Sequence, residues 1–84
     1  MKVRLQNIQK LPHFEERETQ RTNRDTTYIF REALESNLPK KQEQPNPHTN
    51  HPRKSIHFDN KRFIYEQHGK KYILVTIYNT FKYS

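Results

Sequence analysis

The chain predicts an α+β fold, with two N-terminal helices packed on a C-terminal antiparallel β-meander. Three observations predict it. Helix-start chemistry occurs twice in the first half, at Pro12 and at Asp25-Thr26-Thr27. From Ser55 onward the chain is rich in β-branched and aromatic residues separated by short turn signals. Between these halves, residues 39–54 hold four of the five prolines and no large apolar side chain. At 84 residues, the expectation is one small domain, 1–84, with a flexible loop at 39–54.

Each element has its own local reason. Val3 and Leu5 alternate with polar neighbours, which suits a short edge strand or the opening of a helix. Pro12 fits the first turn of a helix running to Arg21, anchored by Leu11 and Phe14. A second helix is predicted over 25–37, with Asp25 at its start, Asn37 at its end and Pro39 beyond. Its expected apolar face is Tyr28, Ile29, Ala33 and Leu34, with Phe30 beside it. Ser55–Phe58, Arg62–Gln67 and Lys71–Tyr83 predict strands, separated by turns at Asp59-Asn60 and His68-Gly69. In the last strand, strict alternation places Ile73, Val75, Ile77 and Phe81 in the core against the second helix. The same alternation places Tyr72, Leu74, Thr76 and Tyr78 on the opposite face.

Composition removes several function classes. There is no cysteine, hence no disulfide framework, thiolate metal site or thiol nucleophile. A single glycine excludes the glycine-rich phosphate loops. No apolar run is long enough to span a bilayer and no apolar segment follows Met1-Lys2, so a cytoplasmic protein with no membrane partner is expected. The net charge is +7, with mean hydropathy −1.31. Residues 1–42 carry nine basic and six acidic groups, residues 43–84 seven and three. Charge spread over both halves suits a folded surface that meets a polyanion.

His13, Arg17 and Arg21 recur every four residues and would stack along one helical stripe. Guanidiniums grip phosphate through paired donors, and an imidazole moves protons near neutral pH. Thr76 and Tyr78 place two hydroxyls on one strand face, where they would hold a phosphate and stack a base. Tyr65 and Tyr72 would extend that aromatic surface. Arg53, Lys54, Lys61, Arg62, Lys70 and Lys71 supply further cations for a nucleic-acid backbone, those near the proline-rich loop forming an arm. His48, His51 and His57 lack a carboxylate cluster nearby in sequence, so no metal or other cofactor is expected; His68 fits a turn.

An N-terminal His-x3-Arg-x3-Arg helix, a second amphipathic helix and a meander ending in Val75-Thr76-Ile77-Tyr78 resemble small toxin and phage domains. These belong to the barnase–EndoU–colicin–RelE superfamily of metal-independent ribonucleases. The resemblance covers most of the chain outside 39–54 and departs from the family pattern at Asn79, where members often carry proline. It implies an endoribonuclease with His13 and Arg17 on the helix side of the site and Thr76 and Tyr78 on the strand side. RNA would be the substrate, and an antitoxin or immunity protein a partner. Two other classes use the same features: a non-catalytic RNA- or DNA-binding module, and a phage or host inhibitor that docks through the second helix or a strand edge.

Overall fold

A computed structural model describes residues 2–80. A 3₁₀ turn at Leu5–Asn7 leads into strand β1 (Ile8–Lys10), followed by helices α1 (Pro12–Arg21) and α2 (Thr27–Glu35). Then come β2 (Lys40–Glu43), β3 (Arg53–Phe58), β4 (Lys61–His68) and β5 (Lys71–Asn79). Strands β2 to β5 form an antiparallel meander, and β1 adds to β5 in parallel, giving the order β1-β5-β4-β3-β2. This is the α+β architecture predicted, helices N-terminal and meander C-terminal, with two short strands added.

The helices start where the sequence chemistry places them. Pro12 occupies the first turn of α1, where its missing N–H costs nothing. Asp25 Oδ1 accepts from Thr27 N at 2.9 Å and Thr27 Oγ1 at 2.6 Å, satisfying a donor at the start of α2. The inward face of α2 differs from expectation. It is Phe30, Ala33 and Leu34, an i, i+3, i+4 set, whereas Tyr28 is 59% exposed and lies beside Arg31.

Strand β5 departs from strict alternation. Its register with β4 shifts between Ile64 and Tyr65: Ile64 faces Thr76 and Tyr65 faces Leu74, so Val75 is an extra residue, a β-bulge. The bulge reverses the inward parity along the strand. Tyr72, Leu74 and Ile77 therefore belong to the core cluster and Ile73 does not, while Val75 is buried as expected but lies outside that cluster. Phe81 lies outside the described residues. Tyr65 and Tyr72 are core residues rather than a stacking surface, packed with Phe63 around the Phe30 ring at centroid distances of 5.2–6.3 Å.

The expected loop at 39–54 is shorter, because β2 and the first residues of β3 fall inside it. Residues 44–52 that remain are tied by their own bonds, Asn46 N to His51 O at 2.9 Å and Asn50 N to Asn46 O at 2.7 Å. The hairpin turns carry the required backbone: Asp59 and Asn60 have φ of 54° and 58°, as a two-residue primed turn needs, and Gly69 has φ of 61°. Both helices contribute to one core cluster with the inward residues of the sheet. Among the described residues no helix packs on the opposite face of the sheet.

The Tyr65 hydroxyl is buried with no hydrogen-bond partner among the described residues, and burial, then Tyr72, pushes its pKa up to about 12. Leaving such a group unpaired costs about 1–3 kcal/mol, and its removal keeps the ring packing. Tyr65→Phe is therefore expected to raise the urea midpoint, by about 1 kcal/mol of stability; a lower midpoint would mean the hydroxyl is satisfied.

Candidate functional site

Strand β1 covers only the first part of β5, from Tyr72 to Leu74. Beyond it, α1 takes over that edge. Leu11 N donates to Leu74 O at 3.2 Å at the start of the helix, and Asn79 Nδ2 donates to Arg21 O at 2.9 Å at its end. His13 to Arg21 rises about 12 Å along a helix, and Leu74 to Tyr78 spans about 13 Å of strand. The His13–Arg17–Arg21 stripe thus runs level with the half of β5 that carries Thr76 and Tyr78.

The ends of this arrangement meet. The Arg21 guanidinium lies 4.8 Å from the centre of the Tyr78 ring, and Arg62, directly across on β4, lies 5.9 Å from it. Tyr78 is 39% exposed. Arg17 Nε donates to His13 Nε2 at 3.4 Å. Among the described residues no hydrogen bond joins His13 or Arg17 to Thr76 or Tyr78, and Thr76 is buried between its neighbours.

The register also defines residues that the sequence left ambiguous. On the helix-free face, Thr76 pairs with Ile64 and Ile64 with Ser55, while Tyr78 pairs with Arg62 and Arg62 with His57. His57 is therefore an exposed imidazole in the same cross-strand row as Arg62 and Tyr78. Glu43 on β2, opposite Arg53 in the register, reaches the row with its side chain. It pairs with Arg62 and accepts from Ser55 Oγ at 2.7 Å. The hydrogen bond from Arg62, then that from Ser55, holds the Glu43 carboxyl below the usual range, so it stays ionised and orients the guanidinium. Chemically, the row offers the Arg21 guanidinium and the Glu43-paired Arg62 on an aromatic face, with the His57 imidazole on the sheet, while His13 lies about two turns away along α1.

The remaining predicted cations do not form one surface. Arg53 Nε is bound to Glu66 Oε2 at 2.9 Å. Lys61 is buried and held by Asp59, with Nζ 3.1 Å from its carbonyl and 3.3 Å from Oδ2. Arg53 and Lys61 are thus neutralised rather than free on an arm. Lys54 points to the opposite face, paired with Tyr65. Lys70 and Lys71 are at the other end of β5, about 23 Å of strand from Tyr78, where with Lys2 and Arg4 they flank an open groove of about 760 Å³.

A second cluster went unread in the sequence. His51, Glu66 and His68 each bring a ligating atom within 4.8 Å of the others. Glu66 is 5% exposed, and the two imidazoles stack with centroids 3.9 Å apart. Burial alone would raise the Glu66 pKa, but hydrogen bonds from His68, Arg53 and Asn46 outweigh it and hold the carboxyl low. No helix among the described residues is long and apolar enough to cross a membrane. No family model, curated protein or solved structure matches the chain.

Proposed function

We propose that the chain is a metal-independent endoribonuclease acting at the junction of α1 and β5. The observation that carries this reading is the convergence of Arg21 and Arg62 on the exposed Tyr78 ring, with the His13–Arg17 contact further along the same helical stripe. The Arg21 guanidinium would contact a backbone phosphate, with Arg62 held beside it by Glu43, and the tyrosine would stack a base. His13 acts in proton transfer, Arg17 with Arg21 in second place binds the scissile phosphate, and the Tyr78 hydroxyl orients it, the predicted partner Thr76 being buried. In the reaction the ribose 2′-oxygen loses its proton to a base and attacks phosphorus. The bond to the 5′-oxygen breaks, and that oxygen takes a proton, leaving a 2′,3′-cyclic phosphate.

Purified chain should cleave single-stranded RNA in EDTA, since these steps need only proton transfer and positive charge. RNA affinity should fall steeply with salt, with a log–log slope of about −3 for four or five neutralised phosphates. Steep salt dependence without cleavage would leave a non-catalytic binding module. A flat response would exclude nucleic acid altogether.

A further inference from the structure

We propose that His51, Glu66 and His68 form a binding site for a late first-row divalent ion, Zn²⁺ in the first place. The site lies on the helix-free face at the β4–β5 hairpin end, and it does not rest on the ribonuclease reading. The two oxygens of Glu66 have different tasks. Oε2 is occupied by Arg53 Nε at 2.9 Å and Asn46 Nδ2 at 3.0 Å. Oε1 faces both imidazoles, 2.9 Å from His68 Nε2 and 3.9 Å from His51 Nδ1. Arg53 and Asn46 thus act as the outer partners that fix a ligating carboxylate, leaving the second oxygen to the ion.

The loop is built to deliver His51. Asn46 Oδ1 accepts from His48 N at 2.8 Å and Thr49 N at 3.2 Å, and Asn46 N bonds the His51 carbonyl. One side chain therefore both shapes the loop and anchors Glu66. His51 Nδ1 also lies 3.1 Å from the Pro52 carbonyl oxygen, a contact that the ring gives up when Nδ1 turns to the ion. Tetrahedral bonds of 2.0–2.2 Å need donor atoms about 3.4 Å apart. The present spread of up to 4.8 Å closes when the partly exposed His51 ring moves by about 1.4 Å and turns out of its stack on His68, so that both ring nitrogens aim at the ion.

The donor set selects the ion. Two imidazoles and one carboxylate suit Zn²⁺ and its neighbours, whereas Ca²⁺ and Mg²⁺ take oxygen ligands. Three protein ligands leave a fourth position for water. Because His51 comes from the loop and the other two from β4, the ion would clip the loop to the sheet and stabilise the folded chain.

The test uses tag-free full chain and no RNA. Zn²⁺ titration should raise the melting temperature saturably in the parent and in the His48→Ala and His57→Ala controls. The His51→Ala and His68→Ala variants, which remove partly exposed rings, should fold but lose the shift, with affinity weakened by more than about tenfold. Co²⁺ in the parent should give the intense visible bands of a four-coordinate ion, absent in both variants. No shift in the parent, or an equal shift in His51→Ala and His68→Ala, would overturn the site. RNA cleavage in EDTA is measured separately, so failure of one reading leaves the other standing.

Discussion

Glu18→Ala should remove most of the stability of the fold. Glu18 is a buried carboxylate on the inward side of α1 that joins three segments. Its Oε2 accepts from Thr26 N at 2.6 Å and from Thr26 Oγ1 at 2.7 Å, and both oxygens lie 3.0 Å from Lys10 Nζ. Thr26 is fully buried at the start of α2, and Lys10 closes β1. Alanine would leave the Thr26 donors without a partner and Lys10 with Asp25 alone, at 2.7 Å. Burial alone would lower the Lys10 pKa, but hydrogen bonds to Asp25 and Glu18 outweigh it and raise it. Breaking a buried charge pair by removing one partner costs about 3–5 kcal/mol. Domains of this size have only about 5–15 kcal/mol in total, and small ones sit at the low end. Glu18→Gln keeps an acceptor for Thr26 and loses only the charge, so it should cost less, about 1–3 kcal/mol. Urea unfolding of both variants checks the order. An alanine variant within 1 kcal/mol of the parent would mean that water replaces the carboxylate at no cost.

The predicted class and the order of its elements followed from local chemistry that the structure preserves. Pro12 and the Asp25-Thr26-Thr27 segment set helix starts, and Asp59-Asn60 and Gly69 mark the hairpin turns. What failed was long-range or non-periodic. Strand β1 is only Ile-Gln-Lys and exists because β5 offers a free edge about sixty residues later, a pairing that leaves no local pattern. Strand β2, Lys-Lys-Gln-Glu, is a charged edge strand, and charge protects such edges while disguising them as loop. The bulge at Val75 has no sequence signature, and one extra residue was enough to turn Tyr72 and Leu74 into the core and Ile73 out of it. Thr76 and Tyr78 kept their side only because they follow the bulge. The Glu66 cluster was illegible for a similar reason: His51 and His68 are far apart in sequence, and only the β3–β4 pairing brings the loop beside the end of β4. A usable signal was present in Glu66-Gln67-His68, where a two-residue spacing on a strand puts carboxylate and imidazole on one face.

His13→Ala should lower RNA cleavage by about 10²–10⁴-fold while leaving RNA affinity nearly unchanged. The ring is exposed on the first turn of α1, so its loss does not disturb the Phe14 and Glu18 contacts on the inward side of the helix. Arg17, whose Nε reaches His13 Nε2, is the residue expected to hold phosphate. Arg17→Ala should therefore weaken binding as well as turnover, and the two variants separate proton transfer from charge. Single-turnover cleavage at saturating protein measures the chemical step, and filter binding at fixed salt measures affinity. His57→Ala is the necessary companion, because His57 shares a cross-strand row with Arg62 and Tyr78. If His13→Ala cleaves at the parental rate and His57→Ala is inert, the acid–base group belongs to the sheet and α1 contributes only charge through Arg21. If both cleave like the parent, the ribonuclease assignment fails at its central step, and the basic face around Tyr78 is left with binding alone.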